Sequence, residues 1–119
     1  MPARVVAVFD DLLLGSNVLG MLRAAGYEAQ LAGGDAHPDG CAVMIVDLTA
    51  SSFDGIALVE RLRADGELEV TRTVGMYSHV DASTRERAMA AAFDLVVPRS
   101  RMAREGPALV ERLLFEPTD

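Results

Sequence analysis

The stretch from Cys41 to Asp47, Cys-Ala-Val-Met-Ile-Val-Asp, constrains this chain more than any other. It is a short, nearly continuous apolar run, rich in β-branched residues, that ends abruptly in one carboxylate. Such a run predicts a strand buried on both faces, as at the centre of a parallel sheet. Charge is expensive there, so Asp47 is expected where the strand emerges into solvent. In open α/β sheets, ligands bind in the crevice at the carboxyl ends of the strands. Asp47 is therefore the first candidate for chemistry.

The flanking segments repeat this logic. Arg4 to Phe9 is a second apolar run ended by acids, Asp10 and Asp11. Leu14, Val18, Met21, Leu22 and Ala25 then recur at helical spacing, and Gly26 stops that helix. Tyr27 to Leu31 predicts a short strand. Gly33 to Gly40 is loop by every local signal. It is too short for a crossover helix, because a βαβ crossover needs at least about 10–12 residues.

After a polar loop from Thr49 to Phe53, Asp54 is a good N-cap for a helix carrying Ile56, Leu58, Val59 and Leu62. Arg72 to Tyr77 predicts a strand ending in Ser78. Asp81 and Ser83 offer caps to a helix through Ala92. Asp94 to Val97 predicts a last strand, closed by Pro98. Pro107 is expected to open the final helix, with Leu109, Val110, Leu113, Leu114 and Phe115 on its apolar face. Strands alternating with helices predict an α/β fold in one domain, residues 1–119. The expected architecture is a flavodoxin-like, doubly wound five-stranded parallel sheet of order 2-1-3-4-5, with its second crossover helix shortened or absent.

Composition narrows the function. The 119 residues are half hydrophobic and about a quarter charged, as in ordinary globular proteins. No apolar run approaches the roughly 18–20 residues that span a bilayer, and the apolar start is too short for a signal peptide. The lone Cys41 excludes an intrachain disulfide and a cysteine zinc cluster. A cytoplasmic protein with no membrane contact is expected. A formal charge of −7 argues against direct nucleic-acid binding. Arg99, Arg101 and Arg104 form a local basic group, but no aromatics interleave with them. They read as solvated helix-end arginines.

In the expected strand order, the first and third strands flank the switch point. Asp10, Asp11 and Asp47 would converge there, and Ser78 would end the neighbouring strand. Like charges so close raise one another's pKa unless a metal neutralises them. Oxygen-only ligands suit Mg²⁺ or Mn²⁺, and a metal-held carboxylate can accept a phosphoryl group. The same acids also serve as helix N-caps and strand terminators elsewhere, and that reading stays open.

The chain resembles a response-regulator receiver domain over nearly its whole length. Val6-Ala7-Val8-Phe9-Asp10-Asp11 matches the family's acidic pair after strand one, and Val43-Met44-Ile45-Val46-Asp47 its phospho-acceptor strand. Asp54-Gly55 matches the Asp-Gly that opens the next helix, Ser78 the switch Ser or Thr, and Ala90 to Pro98 the segment running into Lys-Pro. The resemblance implies two-component signalling. It assigns Asp47 as acceptor, Asp10, Asp11, Asp47 and the Thr49 carbonyl as Mg²⁺ ligands, and Ser78 as phosphoryl-binding group. It also implies protein partners, a histidine kinase or a downstream regulator.

The departures from the family matter as much. Pro98 replaces the family lysine; Arg99 follows, but a one-residue shift turns a strand side chain to the other face. His79 replaces a small residue, and Leu95 the switch aromatic. Thr49-Ala50-Ser51-Ser52 lacks the family's Met-Pro, and Leu12 and Leu13 are expected where they can cover the pocket with apolar surface. Losing a positioned cation costs phosphoryl transfer orders of magnitude in rate.

The favoured expectation is a stand-alone, atypical receiver-like module, not an enzyme, with phosphorylation impaired or absent. It would act through the last two helices and the final strand, where Met102 and Phe115 are expected to leave apolar surface. That face equally suits a homodimer. One alternative keeps Asp47 as a Mg²⁺-dependent acceptor with Arg99 in place of the lysine. A second is a small-ligand domain, because Asp35-Ala36-His37-Pro38-Asp39-Gly40 fits the Asp-x-His-x-x-Gly pattern of cobalamin-binding domains. The motif precedes a strand here, and a Pro-Asp-Gly turn accounts for it better.

Overall fold

The computed structural model describes residues 2–78 and 82–115. His79 and Asp81 therefore lie outside the described residues. Among the described residues five strands form one sheet: β1 (Arg4–Val8), β2 (Glu28–Ala32), β3 (Val43–Asp47), β4 (Arg72–Tyr77) and β5 (Leu95–Pro98). Among the described residues four helices accompany them: α1 (Leu12–Ala24), α2 (Gly55–Ala64), α3 (Ala82–Ala90) and α4 (Arg99–Phe115). The strand order is β2-β1-β3-β4-β5, and every neighbouring pair is parallel. Both match the sequence expectation. Among the described residues no helix is long and apolar enough to cross a membrane.

The alternation of side chains explains why β3 reads as an unbroken apolar run. Val43 and Ile45 pack with Val18, Leu22, Leu109 and Val110 of α1 and α4. Met44 and Val46 pack with Leu58, Val59 and Leu62 of α2 on the opposite face. A strand covered on both sides has no polar face to keep. Each of these side chains contributes about 1.5–3 kcal/mol by leaving water.

No helix lies between β2 and β3. Residues 33–42 cross the α2 face as a loop, with Ala36 and Cys41 buried against the sheet. Asp39 and Gly40 both take positive φ, as a tight Asp-Gly turn requires. Arg4 donates to the Asp39 carbonyl at 3.0 Å, Thr71 Oγ1 donates to the Cys41 carbonyl at 2.7 Å, and His37 pairs with Glu67 at 2.8 Å. These contacts hold the loop where a helix would otherwise lie.

Two expectations need correction. Pro107 does not open the last helix: α4 starts at Arg99, directly after β5, and carries Pro107 inside it. An interior proline costs about 3 kcal/mol, but burial of Met102, Leu109 and Val110 on both sides of it outweighs that. Ala103, which loses its helical donor, is exposed and can bond water. The second correction follows from the first. Met102 falls on the inner face of this longer helix and is fully buried, so it supplies no apolar surface. Phe115 is exposed as expected, and Met89 of α3 joins it.

Candidate functional site

Asp10 and Asp11 follow the carboxyl end of β1 and Asp47 ends β3, neighbouring strands in which Val8 lies beside Val46. Asp47 is the last residue of β3, level with Met76 of β4. It is only 2 % exposed, so the strand does not deliver it to open solvent. Its charge is tolerated because Oδ1 accepts from the Thr49 N–H at 3.0 Å and the Thr49 hydroxyl at 2.8 Å. This is an Asx turn, in which a side chain bonds the backbone two residues on.

Asp10 is half-buried and turned toward the β3–α2 loop. Its Oδ2 accepts from the Ser51 N–H at 3.0 Å, the Ser52 N–H at 2.9 Å and, at 3.4 Å, the Ser51 hydroxyl. These donors, the Ser52 backbone N–H foremost, hold its pKa below the ordinary carboxylate value. Asp11 is exposed and caps α1, its Oδ1 accepting from the Leu14 N–H at 3.1 Å.

A divalent cation needs carboxylate oxygens free to face it. Here each acid already has one oxygen on the protein's own donors. Among the described residues, no group of three His, Cys, Asp or Glu side chains is placed to hold a metal ion. As arranged, one oxygen of each acid is committed to protein donors, and only the other is left for the Mg²⁺ that the resemblance implies.

The remaining candidates surround this cleft. Ser78 is half-buried immediately after β4. Pro98 ends β5 opposite Tyr77, on an edge strand where a missing N–H is tolerated. Arg99 is exposed at the first position of α4. It borders an apolar cavity of about 310 Å³ between α1 and α4, with Leu14, Met21, Met76 and Met102 in its wall. No hydrogen bond or ion pair between Arg99 and Asp47 occurs among the described residues. Leu12 and Leu13 are 70 % and 75 % exposed beside Asp11, not folded over the acids. Leu95 is half-buried against the α1–α4 core.

Ser51 and Ser52 are the site residues that sequence reasoning misses. Their partner lies 41 and 42 positions away, and no local pattern announces such a contact. The Asp47–Thr49 turn, by contrast, is a local Asp-x-Thr signal that could have been read. Phe53 adds a third tie, because a Cβ on Gly34 would stand 2.6 Å from Phe53 Cβ. Only a glycine lets the two loops approach so closely.

No protein-family model matches the sequence, and no curated protein does either. Solved structures do. The chain is similar to the chemotaxis response regulator CheY4 of Vibrio cholerae, at 20% identity and a TM-score of 0.80, over 96% of this chain and 100% of that one. The signal receiver domain of a response regulator from Bermanella marisrubri matches at 16% identity and a TM-score of 0.80, over 96% and 99%. The receiver domain of the Francisella response regulator 1452 matches at 16% and 0.77, over 94% and 96%. The fold is that of a response-regulator receiver domain. Within this receiver fold, Asp47, Asp10 and Asp11 stand at the carboxyl edge of the sheet, and the helix that would join β2 to β3 is missing.

Proposed function

We propose that the chain is a receiver-like signalling module of the cytoplasm that acts through protein contacts, with phosphorylation of Asp47 impaired or absent. One observation carries this reading. The acceptor carboxylate is almost wholly removed from solvent and held by Thr49, while the position of the family's lysine is Pro98. A phosphoryl transfer there would lack a ready cation, and the buried acceptor would have to be uncovered first.

Signalling through contacts needs exposed, partner-specific surface. The face made by α3, β5 and α4 supplies it, with Met89 and Phe115 exposed at its margins. A kinase or downstream regulator would dock there, and a second copy of the chain is the other candidate. No catalytic turnover is assigned to the module.

Incubation with Mg²⁺ and a small phosphodonor, followed by intact-mass measurement, tests the reading. The expected result is no phosphoryl adduct. An adduct that disappears in Asp47→Asn would favour the alternative, in which Asp10, Asp11 and the Thr49 carbonyl hold Mg²⁺, Ser78 binds the phosphoryl group and Arg99 replaces the lysine.

A further inference from the structure

A carboxylate between the ends of two strands can link them in two ways. It can share a cation with the neighbouring acid, or it can accept hydrogen bonds from the neighbouring loop. The two are exclusive for one oxygen, because N–H donors present positive charge where a cation would have to sit. Asp10 takes the second course. Its Oδ2 bridges from the end of β1 to the Ser51 and Ser52 amides of the β3–α2 loop, at 3.0 and 2.9 Å. Successive backbone N–H groups of this kind form an anion-binding nest, and charge-assisted bonds are about twice as strong as neutral ones.

The rest of the cleft is arranged in the same sense. Asp11 is turned onto the Leu14 N–H at the amino end of α1, where the helix dipole already repels a cation. Asp47 is turned onto Thr49. The loop that carries these donors is fixed beyond the cleft by Phe53 packed on Gly34 and by Asp54, whose carboxylate caps α2 through the Ile56 and Ala57 N–H groups. Opening the nest therefore means moving a braced loop.

We propose that Asp10 is an internal latch. Its carboxylate, bound in the Ser51–Ser52 nest, makes the link between β1 and the β3–α2 loop that a divalent cation would otherwise make, and so keeps the cleft from loading Mg²⁺. This rests on the receiver-like reading for the identity of the cleft, and it adds how that cleft is closed.

Amide hydrogen exchange and Mg²⁺ titration of the whole chain test the latch. In the wild type the Ser51 and Ser52 amides should be protected, and Asp10→Ala should speed their exchange by about tenfold or more, as loss of a charge-assisted bond implies. Millimolar Mg²⁺ should neither shift these amide resonances nor raise the melting temperature. Ser51→Pro keeps all three carboxylates but removes one N–H and the hydroxyl; it should bind Mg²⁺ at least about tenfold more tightly than the wild type.

Unprotected amides in the wild type would overturn the latch, as would equal Mg²⁺ affinity in the two proteins, including none in either. If Ser51→Pro does not fold, the exchange comparison with Asp10→Ala decides alone. The phosphodonor assay separates this result from the functional reading. Wild-type Mg²⁺ binding without an adduct defeats the latch only, and an adduct at Asp47 defeats the impaired-phosphorylation reading.

Discussion

A Cβ on Gly55 would stand 2.6 Å from Val46 Cγ1 and 3.1 Å from the Asp47 carbonyl oxygen. The first turn of α2 is thus pressed against the end of β3, one residue from the buried acid. Neither neighbour can yield easily. Val46 is fully buried with a stiff, branched side chain, and the other contact is backbone. Gly55→Ala should destabilise the fold by about 1–3 kcal/mol, the usual cost of overpacking, despite alanine's better helix propensity. Thermal or urea unfolding checks it, and a stability equal to wild type would show that α2 can retreat.

Asp54 holds the same helix by its cap. Its Oδ1 accepts from the Ile56 and Ala57 N–H groups at 3.1 Å each, and its Oδ2 meets Arg87 of α3 at 2.9 Å. The Arg87 pair is about half exposed on both sides, and such surface pairs contribute no more than about 1 kcal/mol. The cap should dominate. Asp54→Ala is expected to cost about 0.5–2 kcal/mol, and Arg87→Ala less.

The Ala57 N–H, more than any other partner, holds the Asp54 pKa below its ordinary 3.8. A lowered folded pKa means stability that is present above the unfolded value and lost as pH falls through the folded one. The stability gap between wild type and Asp54→Ala should therefore be constant from neutral pH down to about 4 and shrink below it. Unfolding curves across the acid range measure this.

His37 and Glu67 join the β2–β3 loop to the α2–β4 connection at 2.8 Å. The hydrogen bond to Glu67, and then its charge, raise the His37 pKa above 6.5. A raised folded pKa contributes stability that is fully present below 6.5 and lost as pH rises through the folded value. The wild type should lose stability relative to Glu67→Gln over that window, and imidazole NMR titration should show a lower His37 pKa in the variant. An unchanged His37 pKa would mean that the pair is not formed in solution.

Much of the fold was legible because it rests on local rules. The double-sided burial of β3, the Asp54 cap and the helix-free loop from Gly33 to Gly40 follow from runs, caps and turn residues within a few positions. What was not legible depends on distant partners. Asp47 reads as a solvent-facing acid until Thr49 and the loop beyond it are seen to enclose it. Pro107 reads as a helix start because its local cost is visible, whereas the burial of Met102 ahead of it is not. The Asp10 contacts with Ser51 and Ser52 span 41 and 42 positions and leave no trace in local spacing. Asp10, Asp11 and Asp47 can be named from sequence as candidates; the donors that each one binds cannot.

The central claim concerns Asp47, and the most direct measurement is intact mass after exposure to Mg²⁺ and a small phosphodonor, wild type beside Asp47→Asn. The account predicts that the two proteins give the same spectrum, with no phosphoryl adduct in either. A wild-type adduct that accumulates with time and is absent from Asp47→Asn would contradict it.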